Sequence, residues 1–382
     1  MSTKPNNALS DLRGASRLTV DAIIEVTDII ESMHRTVTTF GGILGEPDEP
    51  MRGLTGLVYQ NIRSITGLVG RGLDTALDPL VPLVGEMEAS PGREAVVSAL
   101  NGVVGDYLAG TDNPLAIPMQ FRQHGELLDP DAPAFRDALE QADGRLLLLI
   151  HGSCANDLHW RRKGHDHGAA LAENAGYLPV YLRYNSGRHI SENGHDLDEL
   201  LESFITGLDQ PIDLTILGHS MGGLVARSAI HYGSATDHAW PDRLDRLVFL
   251  GTPHHGSPLE RYGNWIDQLL QVSPYSAPFA RLGRLRSAGI TDLRHGYLLD
   301  DDWKGRDRFE RSLGHHTPVP LPDDVETYTV AASKADDPEA PPDNFLGDGL
   351  VPVDSALGRH EREDLTLAIP DRHQRIVRNT SH

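Results

Sequence analysis

The chain has 382 residues, which suits one large domain or two ordinary ones. With 39% apolar and 23% charged residues it can build a sizeable core, so wholesale disorder is excluded. Lys and Arg number 34 against 55 Asp and Glu, and the net charge of -21 repels a phosphate backbone and an anionic membrane alike, so nucleic acid is not an expected partner.

Cys154 is the one cysteine, which rules out an internal disulfide framework and a cysteine-rich zinc module and fits a reducing compartment. Met1 to Ser16 carry no apolar h-region, so no signal peptide is expected. The longest strictly apolar run, Leu146 to Ile150, is far short of the roughly 20 residues of a membrane-spanning helix. The expectation is a soluble cytoplasmic protein.

Residues 1–115 read as a helical N-terminal region. Ile23, Val26, Ile30 and Met33 form one apolar stripe at helical spacing. Leu54, Val58, Ile62, Ile65, Val69, Leu73 and Leu77 form a second, and Val96, Val97, Leu100, Val103, Val104 and Tyr107 a third. Gly41, Gly42, Pro47 and Pro50 separate the first two, and Pro79, Pro82 and Pro91 the last two. The plain expectation is that the stripes bury each other or pack on the following domain. The sharper one is peripheral contact with a lipid surface through the second stripe, flanked by Arg52, Arg63 and Arg71.

Residues 116–143, rich in Pro and Asp, read as a connector. Beyond it, short β-rich runs alternate with helix-length segments. The expected strands are Arg145 to Ile150, Leu178 to Tyr184, Asp213 to Leu217, Leu244 to Leu250, Thr327 to Ala331 and Leu365 to Ile369. Most are continuous apolar runs, the pattern of a parallel sheet covered by helices on both faces.

The strongest chemical signal is Gly218-His219-Ser220-Met221-Gly222, between an apolar strand and a helix-compatible stretch. A sharp strand-to-helix turn exposes a serine Oγ, and side chains two positions either side of it would clash, so glycine belongs at both. The helix N-terminus beneath adds positive dipole where an oxyanion forms. The bland alternative is a glycine turn with a passive serine.

Residues 144–382 resemble the α/β-hydrolase lipases and esterases, in particular bacterial triacylglycerol lipases and proteins similar to GPI inositol-deacylase. The resemblance rests on Leu146 to Gly152, a strand ending in His-Gly; on the Gly218 to Gly222 elbow; on Leu247 to Gly256, which reads LVFLGTPHHG; and on Gly347 to Pro352, which reads GDGLVP. It does not extend to residues 1–115. It implies an α/β-hydrolase fold with a mostly parallel sheet and a cap or lid over residues 257–320, where Trp265, Tyr275, Phe279 and Trp303 suggest an apolar pocket or, as the bland alternative, an extra helical layer with its own core.

Such chemistry needs a nucleophile, a base and an orienting acid, in the chain order Ser, Asp or Glu, His. Ser220 is the nucleophile. Asp348 is the acid, with Asp354 and Asp343 as bland alternatives. His382 fits the Ser-His pattern of the relatives for the base, though they continue into a leucine-rich helix where this chain ends; His373 and His360 are the alternatives. By resemblance the oxyanion hole takes backbone N–H groups from Met221 and Ser153. Cys154 reads as packing rather than as a nucleophile. His165-Asp166-His167 and His315-His316 read as hydrogen-bonded or solvated loop residues, so no metal and no cofactor is expected. The resulting expectation is a serine hydrolase of carboxylic esters or lipids. The rivals are an acyltransferase with the same triad, a serine peptidase, and a catalytically silent lipid-surface or scaffold protein.

Overall fold

The computed structural model describes residues 91–110, 112–113, 115–162, 164–256, 287–306, 317–335 and 347–382. The first two apolar stripes and much of the expected cap lie outside them. The third stripe is a helix, α1 (Pro91–Gly110). Of the stripe, Val103 is buried and Val97, Leu100 and Tyr107 are half-buried. The rest of the buried face is Ala95, Ser98, Ala99, Asn101, Gly102 and Gly105, with Leu108. Small residues there let the helix backbone approach the domain closely. A Cβ on Gly102 would sit 2.3 Å from Cys154 Sγ, and one on Gly105 1.9 Å from Asn185 Oδ1.

The stretch expected as a connector instead joins the sheet. It holds β1 (Gln120–Gln123), β2 (Glu126–Leu127) and α2 (Pro133–Gln141). Phe135 and Leu139 of α2 pack into the core, and Phe135 meets Phe204 edge-on. The polar composition hid this, because a short amphipathic helix and an edge hairpin bury only a few side chains each.

Then follow β3 (Arg145–Ile150), a small hairpin of β4 (Arg161–Arg162) and β5 (His165–Asp166), α3 (His167–Ala175), β6 (Leu178–Arg183) and α4 (Ile190–Thr206). The elbow lies between β7 (Asp213–His219) and α5 (Met221–Ala235), and β8 (Leu244–Leu250) comes next. Within the stretch expected as a cap lie α6 (Ala288–His295) and α7 (Asp300–Trp303), and β9 (Glu326–Ser333), α8 (Val353–Ala356) and β10 (Gln374–Arg378) follow it.

The eight-stranded sheet runs in the order β10-β9-β8-β7-β3-β6-β1-β2. Six strands from β10 to β6 are parallel, and the β1–β2 hairpin adds to the β6 edge antiparallel. From β3 the chain goes outward to β6, then returns to place β7 on the other side of β3. The C-terminal ends of β3 and β7 therefore frame a topological switch point, where α/β sheets bind ligands. With helices packed on the sheet and a strained serine at the end of β7, this is an α/β-hydrolase fold.

The central strands β3, β6 and β7 are buried on both faces, as their continuous apolar runs require. On β3, Leu146, Leu148 and Ile150 join the large core with α4 and α5, while Leu147 and Leu149 pack with Trp160, Tyr181 and Leu217. Gly194 lets α4 close on α5, since a Cβ there would lie 2.1 Å from Ser228 Oγ.

One expected strand is corrected. Leu365 to Ile369 is a 3₁₀ turn followed by irregular chain. Leu365, Leu367 and Ile369 are buried and Thr366 and Ala368 are exposed, so the alternation is real. It marks a segment lying on the core rather than one joined to a ladder. The last strand is β10, which the sequence disguises because its edge position leaves Ile376 38% and Val377 45% exposed.

Candidate active site

Ser220 sits at φ 53° and ψ −124°, a conformation that L-residues adopt only when the surroundings impose it. The surroundings are explicit. Its N–H donates to the carbonyl of Leu250 at the end of β8, at 2.9 Å, and its carbonyl accepts from Gly223 N–H at 3.1 Å. A Cβ at Gly218 would lie 2.6 Å from Gly223 Cα, and one at Gly222 2.3 Å from the Ile150 carbonyl oxygen. Both glycines are thus required by the turn, as its sequence implies. Ser220 is 3% exposed and Met221, the first residue of α5, is fully buried.

The turn after β3 lies against the serine. A Cβ on Gly152 would meet Ser220 Cβ at 3.0 Å, so the backbone leading into Ser153 is next to the nucleophile. This turn is held from behind. His151 Nδ1 donates to the Gly152 carbonyl at 2.8 Å, its ring stacks on Tyr184 at 4.3 Å, and Tyr184 Oη donates to the His151 carbonyl at 2.9 Å. Burial pushes the His151 imidazole down to about 3, so the ring is neutral and serves as scaffold. Cys154 has φ 58° and donates its N–H to Ser186 Oγ at 3.0 Å. Burial pushes its thiol up to about 11, which removes the thiolate that nucleophilic chemistry would need.

Asp348 and His382 come together across 34 residues of chain, with His382 Nδ1 2.7 Å from Asp348 Oδ2. The two side chains are 6% and 1% exposed. The other carboxylate oxygen of Asp348 accepts the N–H groups of Leu350 and Val351, both at 2.8 Å. Burial penalises the Asp348 charge, but the His382 contact and those two N–H donors outweigh it and hold the carboxyl below its usual range. The His382 N–H also donates to the Asp348 carbonyl at 3.3 Å, so backbone and ring are fixed together. The pair lies beside the elbow: the His382 ring is 4.9 Å from that of His219, the residue before the serine. Gly251, at the end of β8 with φ 57°, leaves room for it, since a Cβ there would lie 3.3 Å from the His382 ring and 3.4 Å from Asp348 Oδ2. Gly251 was not singled out from sequence, although its place after an apolar strand was the available signal. Burial, then His382, push the His219 imidazole down to about 3.

The other candidates lie elsewhere. His373 donates to the Thr327 carbonyl at 3.1 Å and stacks on Tyr328, at the opposite end of the sheet. His360 is exposed and accepts the N–H of Arg362. Asp354 is 3.9 Å from Arg359 near the surface, and Asp343 lies outside the described residues, as do His315 and His316. His165 and His167 face each other edge-on at 4.8 Å. Among the described residues no group of three His, Cys, Asp or Glu could hold a metal ion, and no helix is long and apolar enough to cross a membrane.

A protein-family model described as "Domain of unknown function (DUF7379)" matches residues 116–282, a stretch that includes the elbow. No curated protein matches the chain in sequence. Among solved structures, the mature lipase BlEst2 of Bacillus licheniformis is 17% identical, with 69% of this chain and 91% of that one covered and a TM-score of 0.37. A hydrolase from Pseudomonas aeruginosa is 16% identical, with 70% and 87% covered and a TM-score of 0.32. The phospholipase PlaB of Legionella pneumophila, solved with thio-NAD, is 16% identical, with 56% and 44% covered and a TM-score of 0.34. The fold rests on strand order and elbow geometry rather than on likenesses of this size.

Proposed function

We propose that the chain is a serine hydrolase of carboxylic esters, with Ser220 as nucleophile, His382 as base and Asp348 as the acid that orients it. The observation that carries this reading is the strained Ser220 turn next to a buried Asp348–His382 pair. Strain of this kind persists only where packing over-determines it, and it concentrates at reactive residues.

In this mechanism Ser220 Oγ attacks the ester carbonyl as its proton passes to Nε2 of His382. Asp348 keeps the proton of Nδ1 in place and stabilises the imidazolium. The N–H groups of Met221 and Ser153 receive the oxyanion, supported by the N-terminal dipole of α5. The imidazolium protonates the departing alcohol, and water then enters by the reverse sequence to release the acid.

The test is labelling with a fluorophosphonate together with hydrolysis of a graded nitrophenyl ester series. Wild type should label at one serine and turn over esters. Ser220→Ala should do neither. Labelling that persists in Ser220→Ala, or a folded wild type that neither labels nor turns over any ester, would overturn the reading. Release of transferred acyl product when competing alcohols are added would instead favour the acyltransferase.

A further inference from the structure

Arg227 lies on α5 seven residues beyond Ser220, about 10 Å along the helix axis. It is 5% exposed. Its Nη2 donates to the Val319 carbonyl at 2.5 Å, its Nη1 faces Nδ1 of His254 at 3.3 Å, and its Nε has no hydrogen-bond partner. Burial lowers its pKa to about 10, and among the described residues no carboxylate opposes that effect. Buried guanidinium groups ordinarily sit against an acid, because an uncompensated buried charge is costly.

His254 is 2% exposed, and burial with the neighbouring Arg227 charge holds it neutral. Its Nδ1 accepts from Arg227, so its proton belongs on Nε2, and Nε2 also lacks a partner. Two buried donors on adjacent side chains are therefore left over. Both residues line a cavity of about 260 Å³ whose other walls include Leu298, Val319, Leu365 and Leu367. Asp323 and Asp364 stand at its edge, Asp364 already paired with Arg362 at 2.5 Å.

We propose that this cavity binds a small carboxylate with an apolar body, its charge against Arg227 and His254 and its chain along the leucines. A buried cation without a counter-ion among the described residues calls for an anion. The apolar walls call for a hydrocarbon part. The two edge carboxylates disfavour a dianion such as phosphate. The volume is below the roughly 300 Å³ of drug-sized pockets, which limits the ligand to a few carbons. The inference does not rest on the ester-hydrolase reading.

Calorimetric titration of the full chain with hexanoate, hexan-1-ol and inorganic phosphate tests it. Hexanoate should bind at one saturable site, at least tenfold more tightly than the alcohol or phosphate. Arg227→Met should weaken hexanoate roughly 10- to 100-fold, the size expected for hydrogen bonds to a charged group, and leave the alcohol unchanged. Ser220→Ala should leave hexanoate affinity as it was. Equal binding of acid and alcohol, tighter binding of phosphate, loss of affinity in Ser220→Ala, or unchanged affinity in a folded Arg227→Met would each overturn the proposal. Should Arg227→Met fail to fold, Leu298→Phe fills the cavity while keeping the charge. It should weaken hexanoate about tenfold, and undiminished affinity there would likewise overturn the proposal.

Discussion

Two histidine–aspartate pairs stand in different parts of this molecule and meet different surroundings. In one, His382 Nδ1 lies 2.7 Å from Asp348; in the other, His189 Nδ1 lies 2.9 Å from Asp292. Both carboxylates are 1% exposed. The difference is in what the rest of each pair meets. The His189 ring lies flat on Trp303 at 3.5 Å, and Asp292 also accepts the N–H of Ile190 at the start of α4. That pair ties the beginning of α4 to α6. The His382 ring instead lies beside His219 at the elbow, and Asp348 takes two N–H groups from its own loop. The lesson is that two His–Asp pairs of like geometry can sit in unlike surroundings, which the two residue types alone do not reveal.

The comparison breaks most sharply at Ser220. Ser220→Ala should lower ester turnover roughly 10⁴- to 10⁶-fold with the melting temperature nearly kept, read by kinetics and calorimetry together. The pairs should then separate. Asp348→Asn should cost roughly 10²- to 10⁴-fold in kcat, because the neutral amide neither fixes the His382 tautomer nor stabilises its cation. Asp292→Asn should leave kcat per folded molecule within a fewfold and instead lower stability by about 1–3 kcal/mol in urea unfolding. A large kcat loss in Asp292→Asn would erase the distinction.

How much of this was legible in sequence differs by region for physical reasons. The elbow was legible because its turn tolerates only glycine at 218 and 222, so backbone sterics write themselves into residue identity. Five of the six expected strands appear, because parallel strands buried on both faces must be apolar throughout. Asp348 and His382 were named from the family pattern, and the structure sets their side chains 2.7 Å apart. The face that α1 buries was legible only in part. Val103 is buried, but Leu100 and Tyr107 are half-buried, and Gly102 and Gly105 carry the closest approaches. A glycine chosen for close approach leaves no hydrophobic trace. The same holds for the edge strands β2 and β10 and for β1 beside the edge, whose ladders are made by backbone and whose side chains stay largely polar.

The small-residue face of α1 gives a packing test of intermediate size. Gly102→Ala would put its Cβ 2.3 Å from Cys154 Sγ and 2.8 Å from Cys154 Cα. The second contact is with backbone and cannot be relieved by rotating a side chain. The expected cost is about 1–3 kcal/mol, as for other overpacked sites. Because Cys154 follows the turn that carries Gly152 and Ser153, kcat should fall as well, whereas Gly110→Ala, with nothing within 4 Å, should change neither.

The smallest expected effect is a difference in slope with pH, and it again separates the two acids. Asp348 is held below its usual range, so its ionised form contributes stability above about pH 4, and that contribution is lost as the pH falls through the lowered folded value. Asp292 is shifted the other way, chiefly by burial, so its ionisation is a cost at neutral pH that disappears as the pH falls toward the unfolded value. Asp348→Asn should therefore flatten the acid limb of a stability–pH curve, and Asp292→Asn should steepen it. Urea midpoints collected from pH 3 to 7 read both slopes. Parallel curves for the two variants would mean that the two carboxylates share one environment, against the contrast drawn from their partners.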